Sequence, residues 1–376
     1  MKRLLLIGDT NSLYVHNYAI QLRAHYGKSL IIDIFTTFPS RREAGTLPYD
    51  NIFGQVTSAK MHPQVRRLIR PMELLRFLKN QRNKYDVLHV LYCIQEIMVL
   101  TKPLRKVAPR LILTVFGSDF FQLAEWKKRW MRPVFQSADI ITSNNSKALK
   151  AIGLSFSTDP AGLRVCRFGF NALDTLYKFR NIHPVVSRQK LNLPCDKVII
   201  CIGYNYDSIQ QHLAILSSIA DNRDLLDQKE KLYFLIPMTY GTEPEYRKEL
   251  LETLSRFPFR YHTLENFLSE EENAHLRKAP DIMVQLQKSD SFSASTQEHM
   301  YGGNLVITGQ WLPYDDLIDA GIYFRQIATV HMIGEEIVNC LKILDTEKSK
   351  CSKNAEAVYR ISSWEANLPS WLALYP

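Results

Sequence analysis

Nowhere does this sequence approach the ~20 consecutive apolar residues that a membrane-spanning helix needs. Its opening, MKRLLLIGD, places only five apolar residues before Gly8 and Asp9, too few for a signal-peptide core. A protein that stays in the cytoplasm is expected. Cysteine is sparse as well. Cys93, Cys166, Cys195, Cys201, Cys340 and Cys351 form no CxxC and no Cys/His pairing, and three of them lie inside apolar runs, so reduced packing residues are expected rather than a zinc site. No DxD-type motif stands in a loop suited to a metal, and DDLID (315–319) reads as the polar start of a helix. Metal independence is expected, with no cofactor. Repeats and low-complexity tracts are also missing, which excludes solenoids and disorder.

What is present is a globular composition. At 376 residues the chain is long enough for two domains, and its 46% hydrophobic residues, with 18 Tyr, 18 Phe and 5 Trp, can fill two cores. Charge is divided unevenly. Residues 1–190 carry 30 Lys and Arg against 12 Asp and Glu, a balance of +18, whereas the remainder carries 17 against 26, a balance of −9. The halves are expected to meet different partners.

Buried-strand runs recur through both halves: 3–8, 29–36, 86–92, 110–116 and 139–144, then 197–203, 231–238, 259–264, 281–286 and 304–308. Continuous apolar runs, separated by helical stretches, describe parallel strands covered on both faces. The class is therefore α/β, with two doubly wound units in series. The restart at Lys197 and the prolines of NIHPVVSRQKLNLPCD place the linker near 182–195. The aromatic tail WEANLPSWLALYP (364–376) is expected to pack back on the first domain.

The segment KSDSFSASTQEHMYGGNLVITG (288–309) follows a strand and opens a helix near Ser295. Ligands bind at such strand-to-helix turns in doubly wound sheets, and the free amides of a helix start suit a diphosphate. Asp290 precedes the turn and Glu298 lies eight positions on, so one carboxylate can face a sugar and the other a ribose. The plainer alternative is a helix capped by Ser293 or Ser295 with Glu298 at the capping-box position.

With Asp290, Ser291, Phe292, Ser293, Glu298, Gly302, Gly303 and the strand LVIT, the chain resembles the GT-B glycosyltransferases of family 4, whose donor motif is E-x-F-G-x-x-x-x-E. Asp290 replaces the first Glu and Ser293 the glycine. RLILTVFGSDFF (110–121) resembles the family's strand and His-Gly-Ser-Asp-type turn, with Phe116 in the histidine's place. SADIITSNNSKALKAIG (137–153) and RVCRFGFNALDTL (164–176) follow in the family's order. IGYNYDSIQQH (202–212) stands where the family carries a phosphate-gripping Arg and Lys, and it has neither. With IPMTYG (236–241) it also resembles, more narrowly, the fucosaminyltransferase group of enterobacterial common antigen.

The resemblance implies two Rossmann-like domains facing a cleft: an acceptor and membrane-facing domain over 1–185, a nucleotide-sugar domain over 190–350, and a segment over 351–376 packing back on the first. It implies donor contacts from Asn205, Gln211, His212, Tyr240, Lys288, Ser291, Ser293, Ser295 and Glu298, with Leu264 to Phe267 flanking the base. Asp9, Asn11, Ser12 and His16 would meet the acceptor. Asp290, Glu298, Asp119 and His16 are the candidates for catalysis, retaining if the acidic pair acts as in the family. His89, on a strand, reads better as a core histidine, and a helix cap is as good an account of Asp119.

Three basic clusters, 66–84, 102–110 and 125–133, interleave Arg and Lys with Leu, Trp and Met. Such helices can lie on an anionic bilayer, and solvated helix backs are the alternative. The expected protein is a glycosyltransferase moving a sugar from a nucleotide diphosphate to a glycan or polyprenyl-diphosphate-linked glycan, in lipopolysaccharide or capsule synthesis, peripheral on the inner face of the cell membrane. It is not expected to bind nucleic acid, because the clusters match no recognisable motif. A nucleotide-sugar 2-epimerase of the same fold, an inverting fucosaminyltransferase-like enzyme and a non-catalytic basic binding protein are the alternatives.

Overall fold

Uninterrupted runs of Leu, Ile and Val form the central strands, as expected of segments with both faces covered. The computed structural model describes residues 1–41, 47–54, 63–92, 97–98, 100–290 and 292–375, with residues 63–68 described by backbone alone. The first sheet contains β1 (Lys2–Gly8), β2 (Leu30–Thr36), β3 (Asn51–Phe53), β4 (Val87–Leu91), β5 (Arg110–Val115), β6 (Ile140–Ser143) and β7 (Leu163–Val165). The second contains β8 (Val198–Ile202), β9 (Leu232–Pro237), β10 (Tyr261–Leu264), β11 (Ile282–Gln285), β12 (Leu305–Gly309) and β13 (Arg325–Ile327). Their orders are β3-β2-β1-β4-β5-β6-β7 and β10-β9-β8-β11-β12-β13, and every pairing is parallel. Each sheet therefore runs outward from its first strand in both directions, the doubly wound arrangement.

All ten strands legible as apolar runs are present. The three that the runs do not announce, β3, β7 and β13, each have three residues and lie at sheet edges. Edge strands bury less of their surface, so no continuous apolar pattern marks them.

The chain divides at positions other than those the sequence suggests. One compact unit is Met1–Gly169 with Trp364–Pro376, and the other is Phe170–Ser363. The segment read as linker forms the helix Pro184–Lys190, capped by His183. Its Arg188 bridges to Asp281 at 2.6 Å and its Ser187 hydroxyl meets His275 Nδ1 at 3.0 Å, so it belongs to the second unit. Pro184 looked like a breaker, yet it occupies the first helical turn, where a missing N–H costs nothing. Residues 351–363 likewise stay with the second unit, as the helix Asn354–Ser362.

Residues from Trp364 onward are part of the first unit's core. Trp371 is buried against Tyr18 and Phe168, with ring centroids 4.8 Å apart in each case, and its indole N–H donates to Arg167 O at 2.7 Å. Gly169 permits this return, because a Cβ there would lie 2.4 Å from the Trp364 backbone nitrogen. Tyr375 completes a buried polar chain: its hydroxyl bonds Tyr18 OH and lies 2.5 Å from His89 Nδ1, while His89 Nε2 meets Thr114 Oγ1 at 2.6 Å. His89 is thus a satisfied core histidine. Among the described residues no helix is long and apolar enough to cross a membrane.

Candidate functional site

In each sheet the strand order reverses beside the first strand, between β1 and β4 and between β8 and β11. The carboxyl ends at such a reversal are where doubly wound sheets hold ligands.

In the second unit, the loops after β8 and β11 are stitched together at this point. Lys288 N donates to Ile209 O (2.8 Å), Gln211 Nε2 to Leu286 O (2.5 Å), and Tyr204 OH to Gln287 Oε1 (3.3 Å). Gly203 has φ +65°, and a Cβ there would lie 2.7 Å from His212 Nε2. His212 therefore sits directly beneath the loop, fully buried, and burial lowers its pKa to about 4. It supports the loop as a neutral ring and offers no cation to a phosphate. Gln211 is spent on the loop-to-loop bond. Asn205 is buried, accepts from Asp207 N at 3.1 Å, and hydrogen-bonds Tyr240. Tyr240 lies parallel to Phe267, with centroids 6.3 Å apart and 9° between planes, and Phe267 is 79% exposed. Tyr204 stands 6.4 Å from Tyr240. A flat base can stack on such a platform.

After β11, Ser293 caps the helix Ala294–Tyr301: its hydroxyl accepts from Thr296 N at 3.3 Å. Ser293 N donates to Asp290 Oδ2 at 2.8 Å, and Tyr314 OH donates to the same oxygen. Burial, and then the Asp290 charge, raise the Tyr314 pKa well above its ordinary value, so the phenol remains the donor. Asp290 accordingly holds the turn. The Ser295 hydroxyl is buried without a hydrogen-bond partner among the described residues, and Lys288 is exposed beside the turn. Ser291 lies outside the described residues.

Because the cap is Ser293, Glu298 falls in the second helical turn and is not a capping-box residue. Its carboxylate accepts from Arg277 Nε at 2.8 Å, with the two side chains 13% and 11% exposed. Arg277 NH1 also donates to His299 Nε2 (3.1 Å), which leaves the His299 proton on Nδ1 for Asn304 Oδ1 (2.6 Å). Burial and the Arg277 charge push the His299 pKa well below its ordinary value. Arg277 and the buried amides of Gln210, Gln285 and Gln287 are the site residues that sequence reasoning missed. For Gln285 and Gln287, the signal available is that the pair interrupts the apolar run DIMVQLQ (281–287).

In the first unit, Asp9 Oδ1 accepts from Asn11 N and Nδ2, both at 2.9 Å, while Asn11 also bonds Pro39 O (3.0 Å) and receives Arg41 N (2.8 Å). These two expected acceptor residues brace the loop after β1. Ser12 precedes the helix Leu13–Tyr26, on which His16 is buried. Asp119 Oδ1 accepts from Phe116 N (2.9 Å) and Gly117 N (2.8 Å), so this carboxylate fixes the turn after β5. Phe116, in the family's histidine position, packs edge-on against Tyr14 at 5.9 Å and Tyr92 at 5.7 Å. Tyr92 has φ +72° and its hydroxyl reaches Ser118 Oγ at 3.2 Å.

No group of three or more His, Cys, Asp or Glu is arranged to hold a metal among the described residues. The buried histidines make an acid-stability test. Burial lowers the His89 pKa to about 3 and the His212 pKa to about 4, and His299 moves the same way. Between pH 6.5 and those values the unfolded chain binds protons that the folded chain refuses. Stability should therefore be flat in these groups above pH 6.5 and fall below it, by up to about 1.4 kcal/mol per pH unit for each histidine. Urea midpoints from pH 7.5 to 5, above most carboxylate titration, will measure this. An unchanged midpoint would mean that the rings take up protons in the folded state.

Residues 3–151 match the family model described as "Glycosyl transferase 4-like", and no curated protein matches the chain. Among solved structures, the fold is similar to sucrose-phosphate synthase from Thermosynechococcus elongatus (TM-score 0.77, 16% identity, covering 100% of this chain and 98% of that one). A glycosyltransferase from Rickettsia africae gives TM-score 0.73 at 16% identity, with 100% and 97% covered. HepE of Anabaena, in complex with UDP and glucose, gives 0.69 at 13% identity, with 100% and 99% covered. These matches do not bear on the narrower likeness to the fucosaminyltransferase group.

Proposed function

From a chain that is glycosyl transferase 4-like over residues 3–151 and has the GT-B fold, we propose a glycosyltransferase that moves a sugar from a nucleoside diphosphate to a glycan or lipid-linked glycan acceptor, in cell-surface polysaccharide synthesis at the inner face of the membrane. The observation that carries this is the set of groups at the carboxyl edge of the second sheet: the Tyr240–Phe267 pair after β9 and β10, and after β11 the Glu298 carboxylate, a serine-capped helix start and exposed Lys288. Their chemistry suits, in turn, a base, a ribose, a diphosphate and its charge. HepE holds UDP and glucose on the same fold, which supports a nucleotide-sugar donor.

Within this scheme Lys288 and the helix-start amides hold the leaving diphosphate without a metal, and the Ser295 hydroxyl donates alongside them. Glu298 takes ribose hydroxyls, and Arg277 keeps its carboxylate in place. Asp290 orders the turn facing the transferred sugar. The resemblance of Asp290 and Glu298 to the family's acidic pair implies retention, with the departing diphosphate helping to accept the acceptor proton. On the first unit, Tyr14 and Tyr92 give faces on which an acceptor sugar can rest.

Calorimetry with a panel of nucleoside diphosphates, then product analysis with each sugar nucleotide and lipid-linked or soluble glycans, tests the assignment. Asp290→Asn should leave nucleotide affinity within about twofold and lower turnover by about tenfold or more, since the turn matters most where the sugar reacts. No nucleotide binding across the panel would sink the proposal. Turnover without any acceptor would point to the 2-epimerase alternative.

A further inference from the structure

The helix Glu125–Ser137 buries Met131, Val134 and Phe135 in the first unit. Its opposite face is bare. Trp126 is 58% exposed and Trp130 is 60% exposed, one helical turn apart, and exposed Arg129 flanks them one turn on from Trp126. The Lys127 ammonium lies 5.4 Å from the Trp126 ring centroid. Arg132 reaches Ser155 O at 3.2 Å on the neighbouring helix Ser146–Phe156, whose outward residues include Lys150 and Leu154. The only acid on the helix, Glu125, is bridged by Lys128 at 2.8 Å, so exposed Arg129 and Arg132 have no second carboxylate on their own helix.

Two adjacent exposed indoles are unusual on a water-facing surface. Indole rings favour the headgroup level of a bilayer, where the ring is buried and the N–H stays wet. Each lysine or arginine near an anionic surface adds roughly fivefold to partitioning. A protein partner would have to match this row with acids set between apolar pockets, whereas an anionic bilayer presents negative charge over an apolar interior everywhere. The occupant that fits is the bilayer.

We propose that the face formed by Trp126, Arg129, Trp130 and Arg132 docks the first unit on an anionic lipid bilayer. The helix begins just after the turn at the carboxyl end of β5, so its tryptophan-bearing start lies toward the edge that carries Tyr92, Phe116 and Ser118. A docked protein would present that edge to a lipid-linked acceptor. The proposal deepens the acceptor assignment above, but docking is measured without sugar or nucleotide, so the two can fail separately. It also narrows the expected membrane contacts to one helix. Of the other basic residues singled out by sequence, Arg66 and Arg67 lie where side chains are not described.

The full chain is mixed with phosphatidylcholine vesicles, with or without phosphatidylglycerol, carrying brominated acyl chains. The parent should sediment with the anionic vesicles, lose tryptophan fluorescence there, and release as salt rises. Trp126→Ala with Trp130→Ala should lower partitioning by about tenfold or more and abolish the quenching, with Trp311, Trp364 and Trp371 still present. Arg129→Glu with Arg132→Glu should lower it by about 20-fold or more at low salt. Both double variants should keep the parent melting temperature, and Trp126→Phe with Trp130→Phe should retain most of the binding. Failure of the parent to bind anionic vesicles overturns the proposal, as does equal binding by the alanine or glutamate variants. A parent dimer that the alanine variant disperses, without vesicle binding, would assign the face to a second copy of the chain.

Discussion

Glu298→Gln should weaken nucleoside diphosphate binding by about 10- to 100-fold, which corresponds to the ~1.5 to 3 kcal/mol of a charge-assisted hydrogen bond. A carboxylate that accepts ribose hydroxyls works in ground and transition states alike, so the loss should appear in nucleotide affinity itself and carry through to kcat/KM. The same substitution will cost stability. Arg277 is 11% exposed and bonds Glu298 at 2.8 Å, so a neutral amide leaves the guanidinium poorly compensated. Breaking a fully buried pair costs ~3 to 5 kcal/mol, and this partly wet one should cost about 1 to 3 kcal/mol. Adding Arg277→Met separates the two effects. The double variant should recover part of the stability, because no cation is then stranded, and none of the nucleotide affinity. If affinity returns with stability, Glu298 serves only the fold and the ribose assignment is lost. Calorimetric titration alongside urea unfolding of the parent and the variants decides between them.

The contrast between Glu298 and Arg277 also marks the limit of what a sequence can disclose. Glu298 is legible because it recurs at a fixed spacing from Asp290 within one strand-turn-helix segment. Arg277 reaches it from another helix, 21 positions away, and no local period records that contact. The same distinction runs through the fold. β1, β4, β5, β8, β11 and β12 are legible because parallel strands covered on both faces must be apolar throughout. β3, β7 and β13 carry no such demand. Pro184 misplaced the domain boundary because a proline that starts a helix and a proline that ends one look alike until the neighbouring contacts are known. The loop carboxylates are legible as polar residues at strand ends, but their local partners are not. Asp9 and Asp119 each accept two hydrogen bonds from their own turns, a use that short polar residues in loops often have.

Trp371→Ala should be the most damaging single change in the first unit. The indole is fully buried between Tyr18 and Phe168, and its N–H holds the Arg167 carbonyl at 2.7 Å. Removing it creates a large cavity and strands that carbonyl, a combined loss of ~3 to 5 kcal/mol. For a unit of this size the melting temperature should fall by roughly 10 °C or more. The loss should be local, because the residues from Trp364 onward pack in the core formed by β1, β2 and the helix Leu13–Tyr26, and not in either core of the second unit. Differential scanning calorimetry should therefore show one transition moving down while the other stays. Tyr375→Phe provides a finer control, since it removes the hydroxyl that meets His89 Nδ1 at 2.5 Å while keeping the ring; that nitrogen keeps only the longer contact to Tyr18 OH at 3.5 Å, so the loss should be about 1 kcal/mol. Function should follow the same line. Tyr18 belongs to the helix whose start carries Ser12 and His16 beside the β1 loop, so under the proposed function loosening its packing should raise the KM for acceptor while nucleotide affinity, assigned there to the second unit, holds. Trp371→Ala with both transitions unmoved would mean that the returning tail is an ornament on the first unit and not part of its core.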